Sequence, residues 1–253
     1  MRRVLFLLPV YNEASGLPSL LRRIRETCEG AGIPYRVLAV DDGSRDGSQD
    51  ILREEAARMP LEILRHRFNR GLAETLRDGL EWVADRASDE DVLVTMDADD
   101  THDPAYVPAM LERIEAGCDV VVASRFRPGA EVVGVPAHRE LFSRGANALL
   151  RLFLRIPGVR DYACGYRAVR VEVLRRAVFR FENELLSLRG WGFICTAELL
   201  WKLHLVGARC CEIPFVLRYD WKAGTSKMRP VRTICGYGLL ALRSLGGRAE
   251  RRA

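Results

Sequence analysis

Val92-Leu93-Val94-Thr95-Met96-Asp97-Ala98-Asp99-Asp100-Thr101-His102-Asp103 begins as an apolar, β-branched run and ends in carboxylates. A run of this kind predicts a buried strand that delivers Asp97 and Asp99 to its carboxyl end, the edge at which open α/β sheets bind ligands. Two carboxylates two residues apart, where the chain leaves the sheet, suit a hard divalent cation such as Mg2+ or Mn2+. Such an ion takes oxygen ligands and keeps coordination places for a substrate phosphate. The competing reading is a solvated acidic turn in which Thr101 or Asp103 caps a helix starting near Pro104. The sequence on either side decides between them.

Upstream, residues 4–10, 35–40 and 61–64 are short apolar runs, each followed by a polar turn and a helical pattern. Leu17, Leu20, Leu21, Ile24 and Cys28 recur on one helix face, and Leu72, Leu76, Leu80 and Val83 on another. Downstream, residues 119–123 give a fifth strand ending at Ser124-Arg125. The alternation predicts an α/β fold, a mostly parallel sheet with helices on both faces. Four loops then converge on one edge: Pro9-Val10-Tyr11-Asn12-Glu13, Asp41-Asp42-Gly43-Ser44, Asp97-Ala98-Asp99 and Ser124-Arg125. Neither GxGxxG nor GxxxxGK[ST] is present, so a dinucleotide fold and a phosphate-loop NTPase are unsupported. Carboxylate-held metal and the Arg125 fork are the available means of holding phosphate.

Beyond residue 126 the alternation fades. Residues 127–138 read as a long loop, and residues 139–156 as a helix suited either to the core or to a membrane surface. In it Arg151 and Arg155 alternate with Leu149, Leu150, Leu152, Phe153, Leu154 and Ile156. A helix containing Glu198 and a strand at 211–217 follow. The last apolar stretch, 234–245, contains Gly236 and Gly238 and is too short to span a bilayer.

Composition bounds the partners. The 253 residues, 48% hydrophobic, are enough for one large α/β domain. The net charge of +5 arises from 39 basic and 34 acidic residues, and Lys202, Lys222 and Lys227 are the only lysines. No basic tract is interleaved with aromatics, so nucleic acid is not an expected partner; polyanionic small molecules and anionic membrane surfaces are compatible. Seven cysteines, an odd count without a CxxC pair, give no closed disulfide framework, and a reducing cytoplasm fits. Residues 1–10 lack a small-residue cleavage site and read as a strand, not a leader.

Taken together, Pro9-Val10-Tyr11-Asn12-Glu13, Asp41-Asp42-Gly43-Ser44, Asn69-Arg70-Gly71-Leu72, Asp97-Ala98-Asp99, Ser124-Arg125-Phe126, Ser143-Arg144-Gly145-Ala146-Asn147, Cys164-Gly165-Tyr166-Arg167 and Gly224-Thr225-Ser226-Lys227 resemble the family 2 glycosyltransferases. The likeness is to their dolichyl-phosphate mannose synthase-like branch; each motif alone is weak, but eight in one order are specific. The resemblance implies a GT-A fold over 1–228, with a nucleotide-sugar half (1–126), an acceptor half ending in a mobile loop (127–228) and a C-terminal tail (229–253). It implies that Pro9, Tyr11, Glu13, Val40 and Asp42 hold the nucleoside. Asp97, Ala98 and Asp99 would hold the diphosphate through Mg2+ or Mn2+, while Arg125 and Lys227 neutralise phosphate. Arg139 and Ser143 match positions where the acceptor phosphate enters.

The implied activity is transfer of a sugar, with mannose from GDP-mannose favoured, to a polyprenyl phosphate at the cytoplasmic membrane face. A membrane partner protein or a homo-oligomer is compatible with it. Alternatives are a hydroxyl acceptor with Glu198 as base, or a nucleotide-sugar or membrane-binding module without turnover. Two positions depart from the branch. Trp221 stands where an arginine usually precedes the final Gly-x-Ser-Lys, leaving Lys222 or Arg218 as substitutes, and Thr101 stands where Gln or Ser often adds a metal ligand.

Overall fold

The computed structural model describes residues 2–188, 190, 191, 193–222 and 230–246. The apolar runs form β1 (Val4–Val10), β2 (Tyr35–Asp41), β3 (Leu61–Arg65), β4 (Val92–Thr95) and β5 (Val120–Ser124). Later come β6 (Glu131–Val133), β7 (Arg167–Arg170), β8 (Cys210–Pro214) and β9 (Val216–Arg218). The helices are α1 (Leu17–Gly30), α2 (Ser48–Ala56), α3 (Leu72–Arg86), α4 (Val107–Glu115), α5 (Ala137–Leu154), α6 (Val171–Phe181), α7 (Ile194–Leu205) and α8 (Pro230–Gly246).

Seven strands make one sheet in the order β3-β2-β1-β4-β7-β5-β8, parallel except at β7. Every residue of β4 and β5 is buried, because both sheet faces are covered by helices. The stripe anticipated for α1, Leu17, Leu20, Leu21, Ile24 and Cys28, is its buried face. Register fixes the site: Thr95 pairs with Leu7, and the Met96 amide donates to the Leu7 carbonyl at 3.3 Å. Asp97 and Asp99 therefore leave the sheet beside the end of β1.

Three features depart from the sequence expectation. The long loop at 127–138 contains β6, which pairs with β9, and the single strand expected at 211–217 is divided between two sheets. The buried Phe215 marks the division, its amide donating to the Ser124 carbonyl at 3.3 Å. In addition, Cys118 and Cys211 form a disulfide across a separation of 93 residues, a pair the cysteine spacing did not suggest. No local spacing could announce this pair, since only the parallel β5–β8 pairing brings the two together.

Part of the segment set aside as a tail is α8, which packs on α5 and α7 and buries Tyr237, Leu240 and Ala241. Outward on α5 stand Leu141, Phe142 and Leu152, and on α8 Ile234, Leu242 and Leu245. No helix among the described residues is long and apolar enough to cross a membrane.

Candidate active site

The loops after β1 and β2 are joined by side chains. The Asn12 amide donates to Ser44 Oγ (2.9 Å), the Arg45 amide to Asn12 Oδ1 (2.8 Å) and the Glu13 amide to Ser48 Oγ (2.9 Å). Asn12 is left-handed at φ 52°, a conformation asparagine tolerates better than most residues. Asp42 is buried, and its carboxylate organises the next loop. It accepts the Arg70 amide (2.8 Å), the Gly71 amide (2.9 Å) and a contact from His66 Nδ1 (2.7 Å). Gly43, at φ 72°, lies where a Cβ would stand 2.7 Å from the Phe68 backbone, so the turn requires glycine.

These loops enclose a cleft of about 590 Å³ at the carboxyl edge of the sheet. Pro9, Val10, Tyr11, Glu13 and Asp42 line one side, with Asn69 to Thr75 along the start of α3. Asp97, Ala98 and Asp99 form the floor, and Gly190, Phe193, Lys222 and Arg232 close the other side. Gly16 lets the acidic turn approach α1, since a Cβ there would stand 3.3 Å from the Asp99 carbonyl carbon.

The two floor carboxylates have different surroundings. Asp97 presents two-fifths of its side chain (40%) to the cleft. Its amide donates to His102 Nδ1 at 3.0 Å, which assigns the proton of a neutral ring to Nε2, 3.9 Å from Asp97 Oδ2. Crowding by protein raises the Asp97 pKa, aided by the Asp99 charge and opposed by His102, Lys222 and Arg125. Asp99 is more enclosed, at 12% exposure. Its Oδ1 accepts from Thr101 Oγ1 (2.7 Å) and its Oδ2 accepts from the Lys222 ammonium. Burial alone would raise its pKa, but Lys222 and Thr101 outweigh this and hold it below the usual carboxylate value.

Lys222 reaches Asp99 from a short turn after β9 that Trp221 fixes. The indole ring lies between two guanidinium groups, Arg23 at 4.1 Å and Arg218 at 4.2 Å from the ring centroid. Arg23 also donates to the Asp100 carboxylate and carbonyl, and Arg218 to Asp220 at 2.9 and 2.7 Å. The Arg218 amide donates to the Thr101 carbonyl at 3.2 Å, and Arg139 on α5 donates to Tyr219 Oη at 2.9 Å. The turn thus touches both the acidic floor and α5.

The predicted residues fall into three groups. Pro9, Tyr11, Glu13, Asp42, Asp97, Ala98 and Asp99 share the cleft. Val40 does not line it; fully buried in β2, it lies near Gly79 of α3. Arg125 does not line it either. Its Nε and Nη2 are both held by buried Asp161 at 2.7 Å, so it contributes a field rather than an open fork. That pairing raises the Arg125 pKa, and Arg125 in turn holds Asp161 low against the upward push of burial. Arg139 and Ser143 lie one turn apart on α5, outside the cleft. Lys227 lies outside the described residues.

The alternative base, Glu198, is buried with both oxygens engaged. It accepts from the Ser187 hydroxyl (2.6 Å), the Ser187 amide (3.1 Å) and the Leu188 amide (3.0 Å), and it does not line the cleft. Beside the acidic floor stand residues that were not singled out from the sequence, among them His102, Arg23 and Arg167. His102 follows the acidic pair within one short turn and could have been included on that ground. Arg23 gives no signal beyond a polar position on α1. Arg167, fully buried, donates to the Thr196 and Tyr162 carbonyls and borders a small cavity beside Asp97. Burial lowers its pKa.

A model of Glycosyl transferase family 2 matches residues 6–177. The chain belongs to glycosyl transferase family 2. The polyprenol monophosphomannose synthase of Mycolicibacterium smegmatis is 32% identical to this family 2 chain over 229 residues, 90% of the chain and 81% of that protein. The undecaprenyl-phosphate mannosyltransferase of Micrococcus luteus is 33% identical over 227 residues, 89% of the chain and 87% of that protein. The dolichol-phosphate mannosyltransferase of Pyrococcus furiosus is 30% identical over 228 residues, 90% of the chain but 59% of that protein. Among solved structures, mannosyl-3-phosphoglycerate synthase from Rubrobacter xylanophilus aligns over 100% of the chain and 76% of its own, with TM-score 0.64 and 18% identity. Glucosyl-3-phosphoglycerate synthase from Mycobacterium tuberculosis, solved with Mn2+, uridine diphosphate and glucosyl-3-phosphoglycerate, aligns over 98% and 80%, with TM-score 0.61 and 18% identity. These likenesses establish the GT-A fold.

The floor fits a divalent cation. Its donors are carboxylate oxygens, the chemistry Mg2+ and Mn2+ prefer, and a cationic group of the chain already stands on Asp99 Oδ2. Thr101 orients Asp99 through its hydroxyl, a role that explains a short hydroxyl residue at this position.

Proposed function

We propose that the chain transfers mannose from GDP-mannose to a polyprenyl phosphate, with inversion and with Mg2+ or Mn2+, at the cytoplasmic face of a membrane. The observation that carries this reading is the cleft itself: paired carboxylates at the strand ends, cations beside them, and a turn linking that floor to α5. The names of the mycobacterial, micrococcal and pyrococcal relatives supply the sugar and the acceptor class.

A phosphate monoester, with a second pKa of about 6, is largely ionised at neutral pH and needs no protein base. This agrees with the engagement of Glu198 by Ser187 and Leu188, which leaves a hydroxyl-acceptor mechanism without its candidate base. The acceptor oxygen forms the bond to the anomeric carbon as the bond to the nucleoside diphosphate breaks. The obstacle is repulsion between two anions. Asp97 and Asp99 would hold the divalent cation, which when bound supplies positive charge to the departing diphosphate. Arg139 and Ser143 receive the acceptor phosphate, Lys222 and Lys227 neutralise charge on the donor side, and Arg125 adds a fixed field. Pro9, Tyr11, Glu13 and Asp42 hold the nucleoside, Asp42 through the loop it braces.

The lipid is met at the surface. Leu141 and Leu152 share one stripe of α5, and Ile234, Leu242 and Leu245 share one stripe of α8, with Arg144, Arg151 and Arg243 near by. Apolar stripes flanked by arginines suit the boundary between acyl chains and anionic headgroups.

The test is a transfer assay with purified protein, either metal, a short polyprenyl phosphate and radiolabelled GDP- and UDP-sugars. Metal-dependent label from GDP-mannose in the organic phase is expected. Label from another donor would revise the sugar, and donor turnover without lipid label would return the hydroxyl acceptor. Absence of any turnover would favour a binding module.

A further inference from the structure

The Lys222 ammonium occupies an oxygen of Asp99 that a metal would need. Asp99 Oδ1 accepts from Thr101 and Oδ2 from Lys222, so each oxygen of this carboxylate already carries a side-chain donor, and that on Oδ2 is a cation. The lysine is not there by chance of a flexible side chain. Its side chain and that of Asp99 are each only 12% exposed, and the preceding Trp221 is clamped between Arg23 and Arg218. Arg23 is itself tied to Asp100, next to the carboxylate in question. The clamp therefore measures its position from the same acidic turn that it supplies with a cation.

We infer that Lys222 is a resident counter-cation of the Asp97–Asp99 floor, displaced when metal and nucleoside diphosphate enter together, so that metal binds poorly until the donor arrives. The inference rests on the reading of Asp97 and Asp99 as the metal carboxylates. With both ionised, the ammonium leaves the floor one negative charge, and a divalent cation alone would turn it positive beside a largely enclosed lysine. The diphosphate removes that excess and gives the displaced ammonium a new anionic partner. Linkage makes the effect reciprocal: each ligand improves the other's affinity by the same factor. The geometry also accounts for the tryptophan. An arginine in its place would add charge, whereas an indole stacked on two guanidinium groups fixes the backbone from which Lys222 extends.

The experiment is Mn2+ binding to the intact protein, followed by calorimetry and by the electron paramagnetic resonance signal of free Mn2+, with and without guanosine diphosphate. Lys222→Met keeps the stem and removes the charge. If the ammonium closes the site about nine-tenths of the time, Lys222→Met binds Mn2+ about tenfold more tightly without nucleotide. With nucleotide the advantage shrinks to about twofold or reverses, since the lysine now assists. Trp221→Ala, which keeps the ammonium but removes its mount, gives a gain of about threefold without nucleotide. Thermal unfolding verifies that both variants are folded.

Unchanged Mn2+ affinity in folded Lys222→Met, with wild-type binding lost in Asp99→Ala, overturns the counter-cation and leaves the metal carboxylates standing. A gain in Lys222→Met that persists undiminished with nucleotide overturns the coupling to the donor. Mn2+ binding that is absent from every form, nucleotide or not, overturns both the inference and the metal reading beneath it.

Discussion

The carboxylate-lined edge of the sheet and the outer face of α5 and α8, the proposed donor and acceptor sides, are built on opposite principles. At the edge, Asp42, Asp97 and Asp99 are each tied to neighbours: Asp42 to the 70–71 loop, Asp97 to His102, Asp99 to Thr101 and Lys222. Along α5 and α8, by contrast, Leu141, Phe142, Leu152, Ile234, Leu242 and Leu245 stand in solvent. A preorganised polar site costs little reorganisation when charge moves, which suits the departure of a diphosphate. An apolar face left open suits a partner that supplies its own acyl chains, each buried side chain being worth about 1.5–3 kcal/mol. Under the proposed function, one chain would hold a water-soluble substrate by rigidity and a lipid substrate by exposure, with the 218–222 turn touching both regions.

Asp99→Ala should break the donor side outright, lowering lipid-phase label by about a thousandfold through loss of the metal and diphosphate anchor. Asp161→Asn attacks the frame rather than the cleft. It leaves the Arg125 charge buried and unpaired, with an expected loss of about 3–5 kcal/mol in chemical denaturation. Because the folded Asp161 carboxyl lies below its unfolded value, its contribution is complete above about pH 4 and fades as pH falls through the folded value. The variant should therefore lose less stability on acidification than the wild type.

On the acceptor side, Arg139→Ala should lower kcat/KM for polyprenyl phosphate by about 30-fold while sparing donor binding, read from initial rates at varied lipid. Replacing Leu141, Phe142 and Leu152 by serine should weaken flotation with anionic vesicles by about tenfold or more, given the area removed. Transfer to a short, soluble acceptor should be unchanged in that variant. The smallest effect on transfer is expected from Cys118→Ser. It should lower stability by about 2–4 kcal/mol in denaturant without altering the rate.

The two regions also differed in how legible they were in the sequence. The carboxylate-lined edge could be read because strand, turn and carboxylate lie within a few residues, and the continuous apolar run and the helical patterns on either side of it are local. Arg125 could be placed at a strand end, but its partner Asp161 arrives by way of β7, the antiparallel strand that the alternation did not reveal. Glu198 looked available because two of its three donors are backbone amides, which any sequence possesses. Trp221 could be recognised as a departure, but not as the filling between Arg23 and Arg218, since a cation–π stack leaves no spacing rule. On α5 the pattern permitted either a core or a membrane-surface helix. The structure gives the helix one face in the core, with Leu150 and Leu154 inward, and one open face, with Leu141 and Leu152 outward.

The central claim, that donor chemistry resides at the Asp97–Asp99 edge and acceptor capture on α5, is tested most directly by one single-turnover experiment. Wild type, Asp99→Ala and Arg139→Ala are each mixed with radiolabelled GDP-mannose, Mn2+ and polyprenyl phosphate, and donor loss and lipid label are counted in the same samples. The account predicts that Asp99→Ala loses both signals, while Arg139→Ala loses lipid label and keeps donor loss at the level the wild type gives without lipid. Lipid label undiminished in Asp99→Ala or in Arg139→Ala would contradict it.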